Sequence, residues 1–333
     1  MEPSKTAVAV VGAGAFGRNH ARVYRDLEQQ GEAVHLAAVV DIDLQRAEQV
    51  ASEFGAKAFG SISGMLAELP VQAASVTVPT VGHRAAGVEL MQGGVDVLIE
   101  KPVASTLEEA DALIEMAVQT KRVAQVGHLE RFNAAVQATL PLVTRPMFFE
   151  AHRLSVFSPR ALDVDVVLDL MIHDLDIVLS FVRSPVKEIR AVGLPVLSPK
   201  VDIANVRMEF ESGCVANFTA SRISTERVRK LRFFQPRQYV SIDYSRQDVV
   251  VFTVEDGGEA GAAPRIGIAK PETLQGEPLQ AELRSFLQAV RKRGEPVVSL
   301  QEGRRALRVA FEILDEIKRH GSRAGLSGVP VSG

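Results

Sequence analysis

Glu100-Lys101-Pro102 follows, further along the chain, the pattern Gly12-Ala13-Gly14-Ala15-Phe16-Gly17. The pair couples a lysine able to act on a substrate to glycines able to hold a dinucleotide. A second constellation, Asp165, Asp169, His173 and Asp176, recurs at spacings of 4, 4 and 3 in a run otherwise filled by Val, Leu, Met and Ile. Such spacing puts three carboxylates and an imidazole on one face of a helix. Acids are seldom buried without partners, so the stripe either caps a neighbouring element or lines a wet cleft. An imidazole with a carboxylate one turn away is suited to moving a proton near neutral pH. Asp174 lies off the stripe and reads as structural. Asp169 with His173 would begin a metal site, but no further ligand cluster accompanies them, and no metal is expected.

The elements needed to position these groups can be read around them. Thr6 to Val11 is an apolar strand that passes into the glycines, and Phe16 to Gln30 is helix-like. Gly12 permits the tight turn, Gly14 lets backbone approach a pyrophosphate, and Gly17 lets helix and strand pack closely, with Ala15 and Phe16 opening the helix whose amides face the phosphates. Val34 to Val40 is a second strand, ending at Asp41, whose carboxylate can accept hydrogen bonds from an adenosine ribose. Asp41 would repel a 2′-phosphate, so NAD is favoured over NADP.

Beyond Asp41 the pattern alternates: helix 44–54, strand 56–59, helix 62–69, strand 73–78, helix 83–92, strand 95–99, helix 107–121 and strand 123–126. Such alternation with nearly continuous apolar strands predicts a parallel sheet of about six strands covered on both faces. From residue 127 the texture changes. A connecting helix at 134–140 and a strand at 147–154 precede a long apolar helix at 164–182. Alternating segments at 205–211, 215–221, 239–244 and 249–254 come next, and then helices at 279–291 and 301–318. The expected fold is α/β: a Rossmann dinucleotide-binding domain over 1–126, an α/β domain with a mostly antiparallel open sheet over 127–320, and a loose tail over 321–333. The Gly-rich stretch from Asp256 to Ala263 reads as a flexible loop.

Composition limits the function classes. A chain of 333 residues with 46% hydrophobic content can bury two cores, and a net charge of −3 gives no reason to expect a nucleic-acid partner. There is no apolar stretch of membrane-spanning length, and Met1 to Lys5 lacks the apolar segment of a signal peptide, so a cytoplasmic enzyme with no membrane partner is expected. Cys214 is the single cysteine, which excludes an internal disulfide and a Cys-rich zinc site; it reads as a small packing residue.

In order and spacing, the fingerprint, Val78-Pro79-Thr80 with His83, Glu100-Lys101-Pro102, Asp169-x-x-x-His173 and the closing helices resemble the glucose-fructose oxidoreductase and inositol dehydrogenase superfamily, Gfo/Idh/MocA. The resemblance covers almost the whole chain. It implies a Rossmann domain joined to an open-sheet domain, with substrate held between them beside the nicotinamide. It also implies that Lys101, Asp169 and His173 are the catalytic group and that Pro79, Thr80, His83, Glu100 and Lys101 lie along the cofactor.

Oxidising a secondary alcohol needs a base for the hydroxyl proton while hydride moves to nicotinamide, and neutral His173 is the natural base. Lys101 as an ammonium cannot accept a proton, but it can hold the hydroxyl oxygen and stabilise alkoxide character. Asp169 could orient the imidazole or grip a substrate hydroxyl.

The strings Gly127-His128-Leu129-Glu130-Arg131-Phe132-Asn133 and Leu170-Met171-Ile172-His173-Asp174-Leu175-Asp176 look most like the superfamily's nucleotide-sugar branch, in particular enzymes that oxidise the 3-hydroxyl of UDP-N-acetylglucosamine before an aminotransferase. Arg131, Arg153 and Arg160 are then candidates to hold the diphosphate. A dehydrogenase of a free monosaccharide or inositol-type polyol, and a non-catalytic NAD-bound regulator, are the alternatives. The open sheet predicts a homodimer or homotetramer.

Overall fold

The apolar runs of the N-terminal part pair in parallel because helices cover both of their faces. The computed structural model describes residues 5–158, 164–255 and 264–325. In it β1 (Thr6–Val11), β2 (Val34–Val40), β3 (Lys57–Phe59), β4 (Ala73–Val76), β5 (Asp96–Glu100) and β6 (Ala124–Gly127) form one sheet in the order β3-β2-β1-β4-β5-β6. Its pairings are parallel. The connecting helices are α1 (Ala15–Gln29), α2 (Leu44–Phe54), α3 (Ile62–Glu68), α4 (His83–Gln92) and α5 (Leu107–Thr120). Local signals set their ends: Asp43 caps α2 by accepting from Arg46 N at 3.2 Å, and Gly55 ends it in the left-handed region. The strand order reverses between β1 and β4, which opens a crevice at the carboxyl ends of those strands.

The chain divides into two units, Met1–Leu129 with Glu277–Leu307, and Glu130–Gly276 with Arg308–Gly333. This corrects the single boundary expected near residue 127. The reason is α8 (Pro278–Lys292): Leu279, Leu283, Phe286 and Leu287 enter the same core as Val23, Tyr24 and Leu27 of α1 and Leu98 of β5. Arg284 adds an exposed ion pair with Glu32 at 3.2 Å. α9 (Leu300–Arg323) starts in the first unit and ends in the second.

The second unit holds α6 (Ala134–Thr139), β7 (Phe148–Val156), α7 (Ile172–Val182), β8 (Val186–Leu194), β9 (Ile203–Phe210), β10 (Val215–Ser224), β11 (Val228–Gln235), β12 (Gln238–Asp243), β13 (Asp248–Glu255) and β14 (Arg265–Ala269). Its sheet runs β14-β13-β12-β11-β7-β10-β9-β8 and is antiparallel except where β7 meets β10. One face is buried, with Phe149, Ala151 and Arg153 of β7 on it, while Phe148, Glu150 and His152 point the other way. Strands β8, β11 and β14 join the alternating segments named from the sequence. Cys214 is buried, and burial pushes its thiol up to about 11. The expected loose tail is still helical through Arg323, and residues 326–333, like 256–263, lie outside the described residues. Among the described residues no helix is long and apolar enough to cross a membrane.

Candidate active site

In the first unit the three glycines have separate reasons. Gly12 has φ +102°, and a Cβ there would stand 2.6 Å from Val78 N, across the β1–β4 crevice. A Cβ on Gly17 would meet the Gly12 carbonyl oxygen at 1.8 Å, whereas one on Gly14 would meet nothing within 4 Å. Open space at Gly14, the N-cap of α1, is what a pyrophosphate approaching the helix amides requires. The Thr77 hydroxyl donates to the Gly12 carbonyl at 2.8 Å and so ties the turn to the end of β4.

Asp41, 8% exposed, accepts from Ala13 N at 2.7 Å through Oδ2 and from Asp43 N at 2.9 Å through Oδ1. Each carboxylate oxygen keeps a further lone pair for a ribose hydroxyl. Beside it a cavity of about 250 Å³ is lined by Ala13, Gly14, Ala15, Arg18, Arg46 and Gln49, among others. Arg46 stands 3.8 Å from Asp41. The glycine cradle, the open ground at Gly14 and the ordered carboxylate fit a dinucleotide.

Lys101 follows the carboxyl end of β5 and is half-buried; its peptide bond to Pro102 is cis. Its backbone N–H faces Glu100 Oε2 at 3.4 Å, and Glu100 Oε1 lies 3.0 Å from Nε2 of His20, a residue with no exposure. Thr80 starts the short turn Thr80–Gly82 and Pro79 is exposed before it. Phe16, at the start of α1, is exposed and its ring lies 5.3 Å from that of His20. His83, also expected along the cofactor, is buried. Its ring is 1% exposed and is spent on two backbone carbonyls, Pro102 at 3.0 Å and Val78 at 3.0 Å.

In the second unit the helix bearing Asp169 and His173 is not α-helical throughout. Val167–Met171 forms a π turn that runs into α7. A π turn widens the spiral and rotates the residues after it, and such turns gather at functional sites. The four-residue stripe is therefore divided. Asp165 caps a neighbour, accepting from Val201 N at 2.9 Å, and Asp176 is buried against Arg131. Asp169 and His173 remain half-exposed.

Two of the three arginines expected to hold a diphosphate are committed elsewhere. Arg131 donates to Asp176 at 2.6 and 2.9 Å. Arg153, 2% exposed, donates to both oxygens of Asp174 at 2.7 and 3.1 Å and to Glu130 at 2.9 Å, with the Tyr244 ring 5.1 Å from its guanidinium. Burial opposes its charge, but the Asp174 and Glu130 carboxylates outweigh burial and raise its pKa. These pairs join the two sequence strings around Arg131 and His173 into one structure. Arg160 lies outside the described residues.

With this geometry in view, two family models match: the "Oxidoreductase family, NAD-binding Rossmann fold" of GFO_IDH_MocA over residues 6–128, and the GFO/IDH/MocA C-terminal domain over residues 136–239. UDP-N-acetylglucosamine 3-dehydrogenase of Acidithiobacillus ferrooxidans is 36% identical over 305 residues, 91% of this chain and 95% of that protein. The chain belongs to the Gfo/Idh/MocA family. Its fold follows that of the solved structure of the same A. ferrooxidans protein, with a TM-score of 0.86 at 35% identity over 94% of this chain and 98% of that one. Inositol 2-dehydrogenase of Rubrobacter xylanophilus is 29% identical over 58% of this chain and 57% of that protein.

For a Gfo/Idh/MocA chain, several supporting residues left no mark in the sequence pattern. His20 and Thr77 gave no periodic signal: His20 stands among Arg18, Asn19 and Arg22, and Thr77 is one small polar residue at the end of a strand. Glu282, on α8, is fully buried; burial, with the charge of Glu100 adding to it, pushes its pKa well above the ordinary value. Asn133 was visible only inside a motif; it caps α6 through Ala135 N at 3.1 Å and donates to the Tyr244 carbonyl at 3.0 Å.

Proposed function

We propose that this chain oxidises the 3-hydroxyl of UDP-N-acetylglucosamine to the 3-keto sugar. The observation that carries the reading is the match to a UDP-N-acetylglucosamine 3-dehydrogenase, 36% identical over 91% of the chain, where an inositol dehydrogenase that also spans 91% is 24% identical and one that is 29% identical spans 58%. When bound, NAD supplies the acceptor for the hydride leaving the carbinol carbon. Gly12, Gly14, Gly17 and Asp41 hold it, with Pro79 and Thr80 beside it. His173, neutral, takes the hydroxyl proton, and Asp169, four residues before it, orients the ring or holds a neighbouring hydroxyl. Lys101 holds the reacting oxygen and stabilises its developing negative charge. Arg131 and Arg153 are assigned to holding α7, and the diphosphate contact expected of Arg160 is kept as part of this proposal.

Incubation with NAD and a panel of UDP-sugars and the matching free sugars, following NADH, tests the substrate. Alcohol oxidation by NAD is uphill near neutral pH, so a coupled aminotransferase that removes the keto sugar belongs in the assay. UDP-N-acetylglucosamine should be turned over and free N-acetylglucosamine should not. Brisk activity on inositol or free glucose, with none on any nucleotide sugar, would replace this reading with the polyol one.

A homodimer or homotetramer working in the cytosol completes the proposal. On the outward face of the sheet Phe148, Phe234, Tyr239, Phe252 and Ile268 stand in register across five strands, with ring centroids 5.7, 4.8 and 5.4 Å apart. Phe234 is 39% and Ile268 64% exposed. Such a row favours cover by a second copy. Light scattering that found a stable monomer at working concentration would argue against it.

A further inference from the structure

His83 joins two loops that leave adjacent strands of the first sheet. Its Nδ1 is 3.0 Å from the carbonyl oxygen of Pro102, the residue after Lys101, and its Nε2 is 3.0 Å from the carbonyl oxygen of Val78, after β4. Both partners only accept. A neutral imidazole has one N–H to donate, so one of these two contacts lacks a proton unless the ring is charged. Burial lowers the ring's pKa and outweighs the Pro102, Val78 and Val103 backbone groups and the Glu100 charge, which pull the other way, so the neutral form is favoured. The ring must then choose.

The loop after β5 is tied by Lys101 N at Glu100 Oε2, 3.4 Å, and by Ser105 N donating to Glu109 Oε2 at 3.0 Å, bonds that flank Pro102 without reaching its carbonyl. The loop after β4 is secured separately: Thr77 N donates to the Val11 carbonyl at 2.8 Å, the Thr77 hydroxyl reaches the Gly12 carbonyl at 2.8 Å, and Gly82 N closes on the Pro79 carbonyl at 2.7 Å. The Pro102 carbonyl faces His83 Nδ1, and the tautomer decides whether it accepts a hydrogen bond there. We propose that His83 is a positioning residue for Lys101, holding the Pro102 carbonyl through its Nδ1–H and fixing the loop from beneath. The inference rests on the role assigned above to Lys101 at the reacting hydroxyl.

Side-chain amides separate the two nitrogens. In His83→Asn the amide nitrogen falls near the place of Nδ1, and in His83→Gln near that of Nε2. The test measures kcat, KM for UDP-N-acetylglucosamine and NAD affinity for both variants and for His83→Ala, with Lys101→Ala alongside, and reads the ring tautomer of the wild type by ¹⁵N NMR. The expected result is a kcat lowered at least ~10-fold in the Gln and Ala variants with NAD affinity within about 3-fold, most of the kcat restored in the Asn variant, and a ring protonated at Nδ1. Equal kcat in the Asn and Gln variants, or an Nε2–H tautomer, with Lys101→Ala inactive, would overturn the role of His83 alone. Normal turnover of Lys101→Ala would remove Lys101 from the mechanism and this inference with it.

Discussion

Nε2 of His20 lies 3.0 Å from Oε1 of Glu100, in a position with no solvent exposure, so the residue before Lys101 is anchored by a buried imidazole. The same carboxylate leans over Gly127, where a Cβ would meet Oε1 at 2.7 Å and Oε2 at 3.0 Å. Gly127→Ala should therefore push Glu100 off His20 and cost about 1–3 kcal/mol in urea denaturation, as overpacking does. Combined with His20→Ala the losses should fall short of their sum, because both break one contact. Additive losses would separate the two residues.

Asp41 orders the glycine turn as well as facing the ribose. Asp41→Ala should weaken NAD binding at least ~10-fold, since it removes a charged acceptor and frees Ala13 N and Asp43 N together. It should also narrow the preference against NADP, because the carboxylate that repels a 2′-phosphate is gone while Arg46, 3.8 Å from it and 3.2 Å from Asp43, stays beside the site. Titration of both cofactors reads this, and a wild type binding NADP more tightly would reject the assignment.

Removing Arg153 leaves the buried Asp174 and the partly buried Glu130 without their partner. Arg153→Met should cost about 3–5 kcal/mol of stability, the scale for breaking a buried pair on one side. Denaturation measures that loss. A stable variant with a raised KM for the sugar nucleotide would instead return Arg153 to the diphosphate.

Glu282 makes stability depend on pH. Its folded pKa is raised by burial, so between the ordinary 4.5 and the raised value the folded chain keeps a proton that the unfolded chain has released. Stability then falls as pH rises through that window. Glu282→Gln cannot ionise, and its Tm should gain on the wild type steadily from pH 5 to pH 8. A constant difference across that range would mean that Glu282 does not titrate this way.

His173→Ala and Lys101→Ala should each lower turnover at least ~10²-fold while leaving NAD affinity largely intact, since both act at the reacting hydroxyl. Near-normal turnover in either variant would take that residue out of the mechanism.

The Rossmann elements were legible because strands buried on both faces leave continuous apolar runs such as Thr6–Val11. Among the strands not named in the second unit, Val228–Gln235 sets Lys230 and Arg232 on the face opposite Leu231 and Phe233, and a charge-rich run obscures a short strand. Arg153 shows a charge in the sequence but not its partner 21 residues on, so a buried ion pair reads as a ligand. The division of the acidic stripe came from the π turn, for which helical spacing gives no warning. The amphipathic pattern of α8 was plain; the unit to which it returns was not.

That return has a consequence for synthesis. A ribosome reaches Leu283, Phe286 and Leu287 only after every strand of the second sheet has been synthesised, yet these residues fill the same core as Val23, Tyr24 and Leu27. Until then the first unit presents one side of α1 without its cover. The unit with the cofactor motif is thus completed by a segment made after the second sheet, and a fragment cut at residue 126 would carry that motif on an unfinished core.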